Sequence, residues 1–250
     1  MTRRKRVLVT GAASGIGRAT CKLLAGAGTA VGGLDANAAD LHAVVDGLVA
    51  DGLRATAAPT DVTDLAAVQH AVDAIADELG GLDGVVNVAG VGGYTGDVTA
   101  TTPEEWRHVL DVNLTGVFHV SRCAVPHLRA SGGGAIVNVS SQYGLRGGAD
   151  SPAYCASKAG VIGLTRAMAI DHAPEIVVSC LCPGPVETPM LTRSLDQEAA
   201  GGREAARTRG RLLAGRAASP VEIAEAIVFL LGAGFATGSV VSLDGGWTAG

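Results

Sequence analysis

Tyr154 and Lys158 lie four residues apart in the segment SPAYCASK, residues 151–158. If the segment is helical, this spacing places both side chains on one face, where their functional groups can meet. A tyrosine has an ordinary pKa of about 10, which makes it a poor base near neutral pH. A neighbouring lysine ammonium favours the phenolate, so the pair has the composition of a proton-transfer device. The alternative is an ordinary pair on a helix surface, and the spacing alone does not separate the two.

A glycine-rich turn, TGAASGIG at residues 10–17, follows the first short apolar run. Gly11, Gly15 and Gly17 permit positive φ angles and let a ligand approach the backbone closely. The residues that follow read as a helix, whose N-terminus supplies amide donors and a partial positive charge. A turn between the first strand and the first helix suits a pyrophosphate, so we predict a dinucleotide site there. The alternative, in a chain with 36 glycines, is a structural turn.

Asp35 ends the second predicted strand, 18 residues after Gly17. A carboxylate at this place can accept hydrogen bonds from an adenosine ribose and would repel a 2′-phosphate. No arginine follows directly to reverse that preference. We therefore predict NAD rather than NADP as the cofactor, the alternative being an aspartate of a plain turn.

The rest of the chain alternates two kinds of segment. Segments with helical periodicity, such as residues 65–79, lie between short continuous apolar runs that are typical of strands buried on both faces. Ser219-Pro220 and Thr102-Pro103, each with a glutamate three residues after the hydroxyl, predict helix starts, and Ser151-Pro152 repeats half of that signal. The apolar runs are residues 7–9, 30–34, 55–58, 85–88, 136–139, 176–181 and 240–243. This alternation predicts a parallel sheet with helices on both faces.

No linker or repeat divides the chain, so we interpret residues 1–250 as a single domain. The stretch at about 190–218 mixes charges with glycines and has few large apolar side chains, and we expect it to be a mobile excursion beside the substrate. The formal charge of −5 offers no attraction to nucleic acid or to an anionic membrane. Five cysteines without a C-x-x-C pair suggest reduced thiols and no metal site. The apolar stretch after the basic residues 3–6 is too short for a membrane span, and we expect a cytoplasmic protein.

With these features assembled, the sequence resembles the short-chain dehydrogenase/reductase family in its shorter, single-domain branch. The resemblance extends over essentially the whole chain and adds motifs after later strands: Asp61-Val62, Asn87-Val88-Ala89-Gly90, Asn113 in VNLTG, Ser141, Pro183-Gly184 and Thr188. It implies a Rossmann-type, doubly wound α/β fold with a seven-stranded, mainly parallel sheet. It also implies an NAD-dependent oxidoreductase that moves a hydride between nicotinamide and a secondary alcohol or ketone.

The resemblance also assigns roles to individual residues. The catalytic set would be Asn113, Ser141, Tyr154 and Lys158, with Tyr154 as general acid/base, and the family's usual spacing of about 13 residues to the tyrosine selects Ser141 over Ser140. Tyr143, two residues after Ser141, is a rival aromatic hydroxyl, but Gly147 stands four residues later in place of a lysine. We therefore interpret Tyr143 as a wall of the substrate pocket, together with Ser141, Gly184 and Met190. The cofactor would be held by Gly11, Ser14, Gly15, Ile16, Gly17, Asp35, Asp61, Val62, Asn87, Ala89, Gly90, Tyr154, Lys158, Pro183, Gly184, Val186 and Thr188.

Two positions depart from the family's pattern. Val88 stands where a second asparagine is usual, and Ser179 replaces a common asparagine in the sixth strand, which puts a structural hydrogen bond in doubt. The resemblance implies a homotetramer or a dimer, with residues 102–129 and 152–171 as candidate interfaces. One alternative is a catalytically silent nucleotide-binding protein on the same scaffold. Another is an epimerase or dehydratase of the extended scaffold, for which 250 residues leave little room.

Overall fold

Seven short strands form one sheet in which each neighbouring pair is parallel. The computed structural model describes residues 5–93, 96–193 and 212–249. Within them the strands are β1 Arg6–Thr10, β2 Ala30–Asp35, β3 Ala55–Pro59, β4 Gly84–Asn87, β5 Gly134–Val139, β6 Ile176–Pro183 and β7 Val240–Leu243. Each predicted strand is confirmed, and the sheet is parallel throughout rather than mainly parallel.

The strand order is β3-β2-β1-β4-β5-β6-β7. The chain starts in the middle of the sheet, moves outward to β3 and then returns to β4 on the other side of β1. At such a reversal the loops after β1 and β4 turn to opposite faces and leave a crevice at their carboxyl ends, where ligands bind in this class of fold. This order confirms the predicted Rossmann-type, doubly wound architecture.

Helices connect the strands and cover both faces of the sheet. Their bounds are α1 Gly15–Gly26, α2 Ala38–Ala50, α3 Leu65–Leu79, α4 Pro103–Leu110, α5 Gly116–Ala130, α6 Gln142–Leu145, α7 Pro152–His172 and α8 Pro220–Gly232. A π-helical turn, Asp111–Thr115, joins α4 to α5. This turn contains Asn113 and was not among the predicted elements.

The core consists of two apolar layers, one on each face of the sheet. Leu8 of β1 packs on one face with α3, α5 and α7, whereas Val7 and Val9 pack on the other with α1, α2 and α8. Successive side chains of a strand point to opposite faces, so a continuous apolar strand supplies both layers at once. The three-layer arrangement therefore follows from the apolar runs in the sequence.

The predicted helix starts are confirmed, with one difference in detail. Thr102 and Ser219 form full capping boxes with Glu105 and Glu222. Ser151 precedes α7 but makes no capping hydrogen bond through its side chain. Pro152 at the first helical position, like Pro103 of α4 and Pro220 of α8, lacks an N–H and has its φ already fixed, which favours a helix start there.

The predicted excursion at about 190–218 lies mostly outside the described residues, since 194–211 are not among them. The segments on either side of it meet where Val186 pairs with Ala218 in an isolated parallel bridge. No helix in the described parts of the chain is long and apolar enough to span a membrane. The same residues hold no group of three or more His, Cys, Asp or Glu side chains suited to a metal ion.

Candidate active site

The predicted catalytic residues converge at the carboxyl ends of β4 and β5. Ser141 follows β5 and caps α6, Tyr154 and Lys158 lie in the first two turns of α7, and Asn113 lies in the π-helical turn. The Nζ of Lys158 is 5.7 Å from the centroid of the Tyr154 ring. The helical spacing thus places the ammonium and the phenol ring together, as the sequence predicts.

The Tyr154 side chain is half-buried and lies near the Ser141 hydroxyl. Burial raises the pKa of Tyr154 to about 12, and the interaction with the Ser141 hydroxyl offsets only part of that rise. The lowered phenol pKa that the sequence analysis expects from Lys158 is therefore not produced by the protein groups alone. Desolvation disfavours the phenolate more than the neighbouring groups favour it.

Lys158 is buried, and its Nζ donates a hydrogen bond to the carbonyl oxygen of Val139 at 3.1 Å. Burial lowers the pKa of Lys158 to about 8, against a smaller opposing effect of the Cys180 and Cys182 thiols. The backbone carbonyl of Lys158 accepts a 2.7 Å hydrogen bond from Ser140. Ser140 therefore supports the helix that carries the lysine.

Asn113 is fully buried, and its amide is occupied by neighbouring protein groups. Its Oδ1 accepts from the backbone N–H of Val91 at 2.8 Å, and its Nδ2 donates to the Val91 carbonyl and to Ser157 Oγ. A π-helical turn inserts one extra residue, which redirects a side chain inward. Asn113 thereby holds the loop after β4 against α7, and its predicted role in a water path stays a prediction.

The glycine turn after β1 interlocks with the loop after β4. A Cβ on Gly17 would overlap the carbonyl oxygen of Gly11, and one on Gly11 would lie 3.0 Å from the backbone of Ala89. Gly11 and Gly15 have φ angles of +66° and +48°, which side chains disfavour. Thr10 Oγ1 accepts hydrogen bonds from the N–H groups of Val88 and Ala89, both at 3.0 Å. This cradle of bare backbone next to the α1 N-terminus fits a pyrophosphate.

Asp35 ties the end of β2 to that cradle. Its two carboxylate oxygens accept from the backbone N–H of Ala13 at 3.0 Å and from that of Asn37 at 2.9 Å. Asp61 lies after β3, where it accepts from Thr63, and Val62 next to it is buried. Asp35, Asp61 and Val62 therefore line up beyond the carboxyl ends of β2 and β3, on the side where an adenosine would lie.

Asn87 and Ser179 are buried polar residues that differ in the hydrogen bonds of their side chains. The Asn87 side chain is buried and donates to Ser121 Oγ and Asn138 Oδ1, so only its backbone is available to a cofactor. Ser179 Oγ is buried without a hydrogen-bond partner among the described residues. The doubt about a hydrogen bond at this departure from the family's pattern is thus confirmed.

A cavity of about 1170 Å³ opens at this edge of the sheet. Ten predicted site residues lie behind or beside its wall and do not line it: Gly11, Ser14, Gly15, Gly17, Asp35, Asp61, Val62, Asn87, Ala89 and Asn113. The predicted site residues that do line it are Ile16, Gly90, Ser141, Tyr143, Tyr154, Lys158, Pro183, Gly184, Val186, Thr188 and Met190. The structure thus brings the catalytic, nicotinamide-side and substrate-pocket predictions together around one space.

Two residues of the site have no role in the sequence analysis. Thr10 is the first residue of the TGAASGIG motif, but its partners in the loop after β4, Val88 and Ala89, lie 78 and 79 residues later in the chain. Trp247 follows β7 and stacks at a tilt on Tyr143, with 5.6 Å between the ring centroids. Neither contact has a local sequence signal, because both depend on how distant strands are ordered.

Comparison with known proteins agrees with this geometry. Residues 5–199 match the sequence profile of the short chain dehydrogenase family. The chain is 41% identical to cis-4-hydroxycyclohexanecarboxylate dehydrogenase of Sinomonas cyclohexanicum, over 97% of this chain and 96% of that protein. It is 40% identical to cyclopentanol dehydrogenase of Comamonas sp. strain NCIMB 9872, over 98% and 97% of the two chains.

Among solved structures, a single-residue variant of actinorhodin polyketide ketoreductase with NADPH superposes with a TM-score of 0.92. The two chains are 31% identical, with 98% of this chain and 97% of the ketoreductase covered. These matches span the fold and the site alike. The chain belongs to the short-chain dehydrogenase/reductase family and is an oxidoreductase of alcohols and ketones.

Proposed function

We propose that this protein is an NAD(H)-dependent dehydrogenase of secondary alcohols, or reductase of the matching ketones, with Tyr154 as its general acid/base. The observation that carries the proposal is the convergence of Tyr154, Ser141 and Lys158 on the wall of the cavity, with the Lys158 Nζ beside the Tyr154 ring. A bound nicotinamide would supply the hydride acceptor or donor. The chain's own groups then need only orient the alcohol oxygen and move its proton.

Each catalytic residue has a distinct task in this scheme. Ser141 hydrogen-bonds the substrate oxygen and holds it beside the Tyr154 hydroxyl, which takes the proton during oxidation and returns it during reduction. Lys158, fixed by Val139, stabilises the phenolate and reaches toward the ribose side of the site. Asn113 holds the loop after β4 in place and would anchor a water between Lys158 and solvent.

The substrate we propose is a cyclic secondary alcohol of modest size. The cavity beside Tyr154 and Ser141 has an apolar wall that includes Tyr143, Met190 and Leu191, and the glycine backbone at residues 92–93 also lines it. Apolar walls with few polar groups recognise small hydrophobic ligands. The names of the two similar dehydrogenases, which act on cyclohexane and cyclopentane alcohols, support this class.

We propose NAD rather than NADP because of Asp35. Its carboxylate stands after β2 next to the glycine turn, where it can accept from a ribose hydroxyl and repel a 2′-phosphate. The similar ketoreductase holds NADPH, so membership of the family does not by itself decide between the two cofactors. We also propose that the protein is a homotetramer, or otherwise a dimer. We propose a cytoplasmic location because the cysteines of the described structure are free, and all of them but Cys155 are buried.

The test combines a wild-type assay with the substitution Tyr154→Phe. Wild-type protein should form NADH from NAD and cyclohexanol, with a clear preference for NAD over NADP. Tyr154→Phe keeps the ring and removes the transferable proton, so kcat/KM should fall at least about 100-fold. NADH binding, followed by fluorescence titration, should be unchanged and shows that the variant is folded.

Several results would contradict the proposal. Near-normal turnover by Tyr154→Phe, or a larger loss from the rival substitution Tyr143→Phe, would move the proton-transfer role away from Tyr154. Comparable efficiency with NADP would remove the role of Asp35 in cofactor choice. Binding of NADH without turnover of any alcohol or ketone in a broad panel would favour the catalytically silent alternative.

A further inference from the structure

The residues that follow β7 form a tight turn at 244–248, called here the β7 turn. The carboxylate of Asp244 accepts from the backbone N–H groups of Gly246 and Thr248 and from the Thr248 hydroxyl. Gly245 and Gly246 have φ angles of +64° and +83°, which this turn requires and side chains disfavour. These bonds hold Trp247 in one place, where only 6% of its surface is exposed.

Trp247 and Tyr154 both pack against the Tyr143 ring. The Tyr143 and Trp247 ring centroids are 5.6 Å apart with planes tilted by 57°, and Tyr143 meets Tyr154 edge to face at 6.2 Å and 84°. Such aromatic contacts favour definite ring orientations. Tyr143 lines the cavity, whereas Trp247 does not. Through Tyr143, Trp247 therefore contacts the wall of the cavity.

A second contact confines Tyr143 from the loop before α7. A Cβ on Gly148 would lie 2.6 Å from the Tyr143 ring, so the bare backbone of Gly148 is in close contact with it. That backbone is held in turn, since the Gly148 N–H donates to Cys155 Sγ at 3.2 Å. Trp247, Gly148 and Tyr154 thus contact the Tyr143 ring, while the rest of the half-buried side chain lines the cavity, and these contacts restrict its change of rotamer.

We infer that Trp247 is a positioning residue for substrate selection: by fixing the Tyr143 ring it makes a rigid wall that orients ring-shaped secondary alcohols toward Ser141 and Tyr154. The inference rests on the proposed function and deepens it. A rigid flat wall gains contact area with a five- or six-membered carbon ring, whereas a three-carbon alcohol touches little of it. Loosening the wall therefore affects large substrates and spares small ones.

The experiment compares cyclohexanol with 2-propanol in the wild type, Trp247→Ala and Trp247→Phe. In Trp247→Ala we expect kcat/KM for cyclohexanol to fall about 10-fold, mainly through KM, with a change of less than about 3-fold for 2-propanol. Trp247→Phe keeps an aromatic ring against Tyr143 and should restore most of the cyclohexanol efficiency. If Trp247→Ala does not fold, Trp247→Leu is used in its place, because leucine keeps more of the side-chain volume and still removes the aromatic contact.

Trp106→Phe is the matched control, since Trp106 lies on α4 with 38% of its surface exposed and does not line the cavity. Its ratio of cyclohexanol to 2-propanol efficiency should equal that of the wild type. The chain has two tryptophans, so this variant also leaves Trp247 as the single tryptophan fluorophore. Saturating cyclohexanone should change its emission, while 2-propanol at the same concentration should not.

The outcomes separate this inference from the proposed function. Equal losses for both alcohols in Trp247→Ala, no rescue by Trp247→Phe, or tryptophan emission that ignores cyclohexanone would each overturn the positioning role while leaving the dehydrogenase intact. A wild type that oxidises neither alcohol would overturn the proposed function and the inference with it.

Discussion

Lys158 carries an amine in surroundings that penalise its charge. The side chain is buried, and its ammonium has one hydrogen bond to protein within the described structure, to the Val139 carbonyl. Burial accordingly lowers its pKa to about 8 from an ordinary 10.5. At neutral pH the folded protein keeps Lys158 protonated, which lowers the free energy of unfolding. The protonated amine places a positive charge next to Tyr154.

Replacing Lys158 with methionine should therefore stabilise the cofactor-free protein while abolishing turnover. Because the folded pKa is below the unfolded one, stability linked to Lys158 is present above about pH 10.5 and lost as the pH falls through about 8. Lys158→Met removes that loss, so we expect a gain of about 1–3 kcal/mol at pH 7. Melting temperatures of both proteins at pH 7 and pH 10, at equal concentration, should show the gap narrowing at the higher pH. A variant less stable at both values would refute the reading of Lys158 as a strained charge.

Residue types and spacing predicted that Tyr154 and Lys158 meet, because a helix converts sequence distance into spatial distance. Ser141 and Asn113 were expected from the family resemblance, Ser141 through the usual spacing of about 13 residues to the tyrosine. The raised pKa of Tyr154 was not predictable, since it depends on how much protein encloses the hydroxyl. Trp247 was missed for a related reason: its contact with Tyr143 spans 104 positions and depends on β7 lying beside β6.

At the scale of elements, the turn from β1 to α1 is the most tightly packed part of the cofactor site. Gly17, in the first turn of α1, leaves no space for a side chain against the carbonyl of Gly11. The same turn is fastened to the loop after β4 by Thr10. Any widening of this turn therefore displaces both walls of the crevice between β1 and β4.

Gly17→Ala should force the turn open and weaken cofactor binding. The added methyl meets backbone, which cannot move aside as a side chain can, so we expect lower thermal stability and NADH affinity reduced at least about 10-fold. Gly26→Ala is the control in the same helix, because a Cβ there meets nothing within 4 Å. It should bind NADH normally and gain slightly in stability through helix propensity. Equal NADH affinity in the two variants would show that the turn tolerates a wider shape.

Strand and helix positions were predictable wherever one local pattern decided them. Continuous apolar runs located the strands because both faces of a parallel sheet are covered, and Thr102 and Ser219 located helix starts through their capping boxes. The π-helical turn at Asp111–Thr115 has no comparable signal, since it arises where α4 and α5 are forced around buried Asn113. Asn113 was therefore predicted for the site, but the π-helical backbone that positions it was not.

At the scale of the whole molecule, several large apolar side chains remain exposed away from the cavity. Phe118 on α5 is 45% exposed and Ile170 on α7 is 80% exposed, and both lie in the segments expected to form interfaces. Others lie on α8, after it and on β7: Val221, Phe229, Phe235, Val241 and Leu243. Exposed apolar groups gathered on particular elements are typical of surfaces that pair with another chain. Two such surfaces would suffice to build a closed tetramer of twofold symmetry.

Light scattering of the wild type should accordingly give a mass about four times the chain's 24.9 kDa. Ile170→Asp places a charge on α7 within a candidate interface, where burying it unpaired is costly, and should halve that mass. Val49→Asp makes the same change at a 51% exposed position on α2, outside the proposed contacts, and should keep the wild-type mass. A monomeric wild type would refute the assembly outright. A tetramer that survives Ile170→Asp would instead assign the contacts to α8 and β7, which Phe229→Asp would then disrupt.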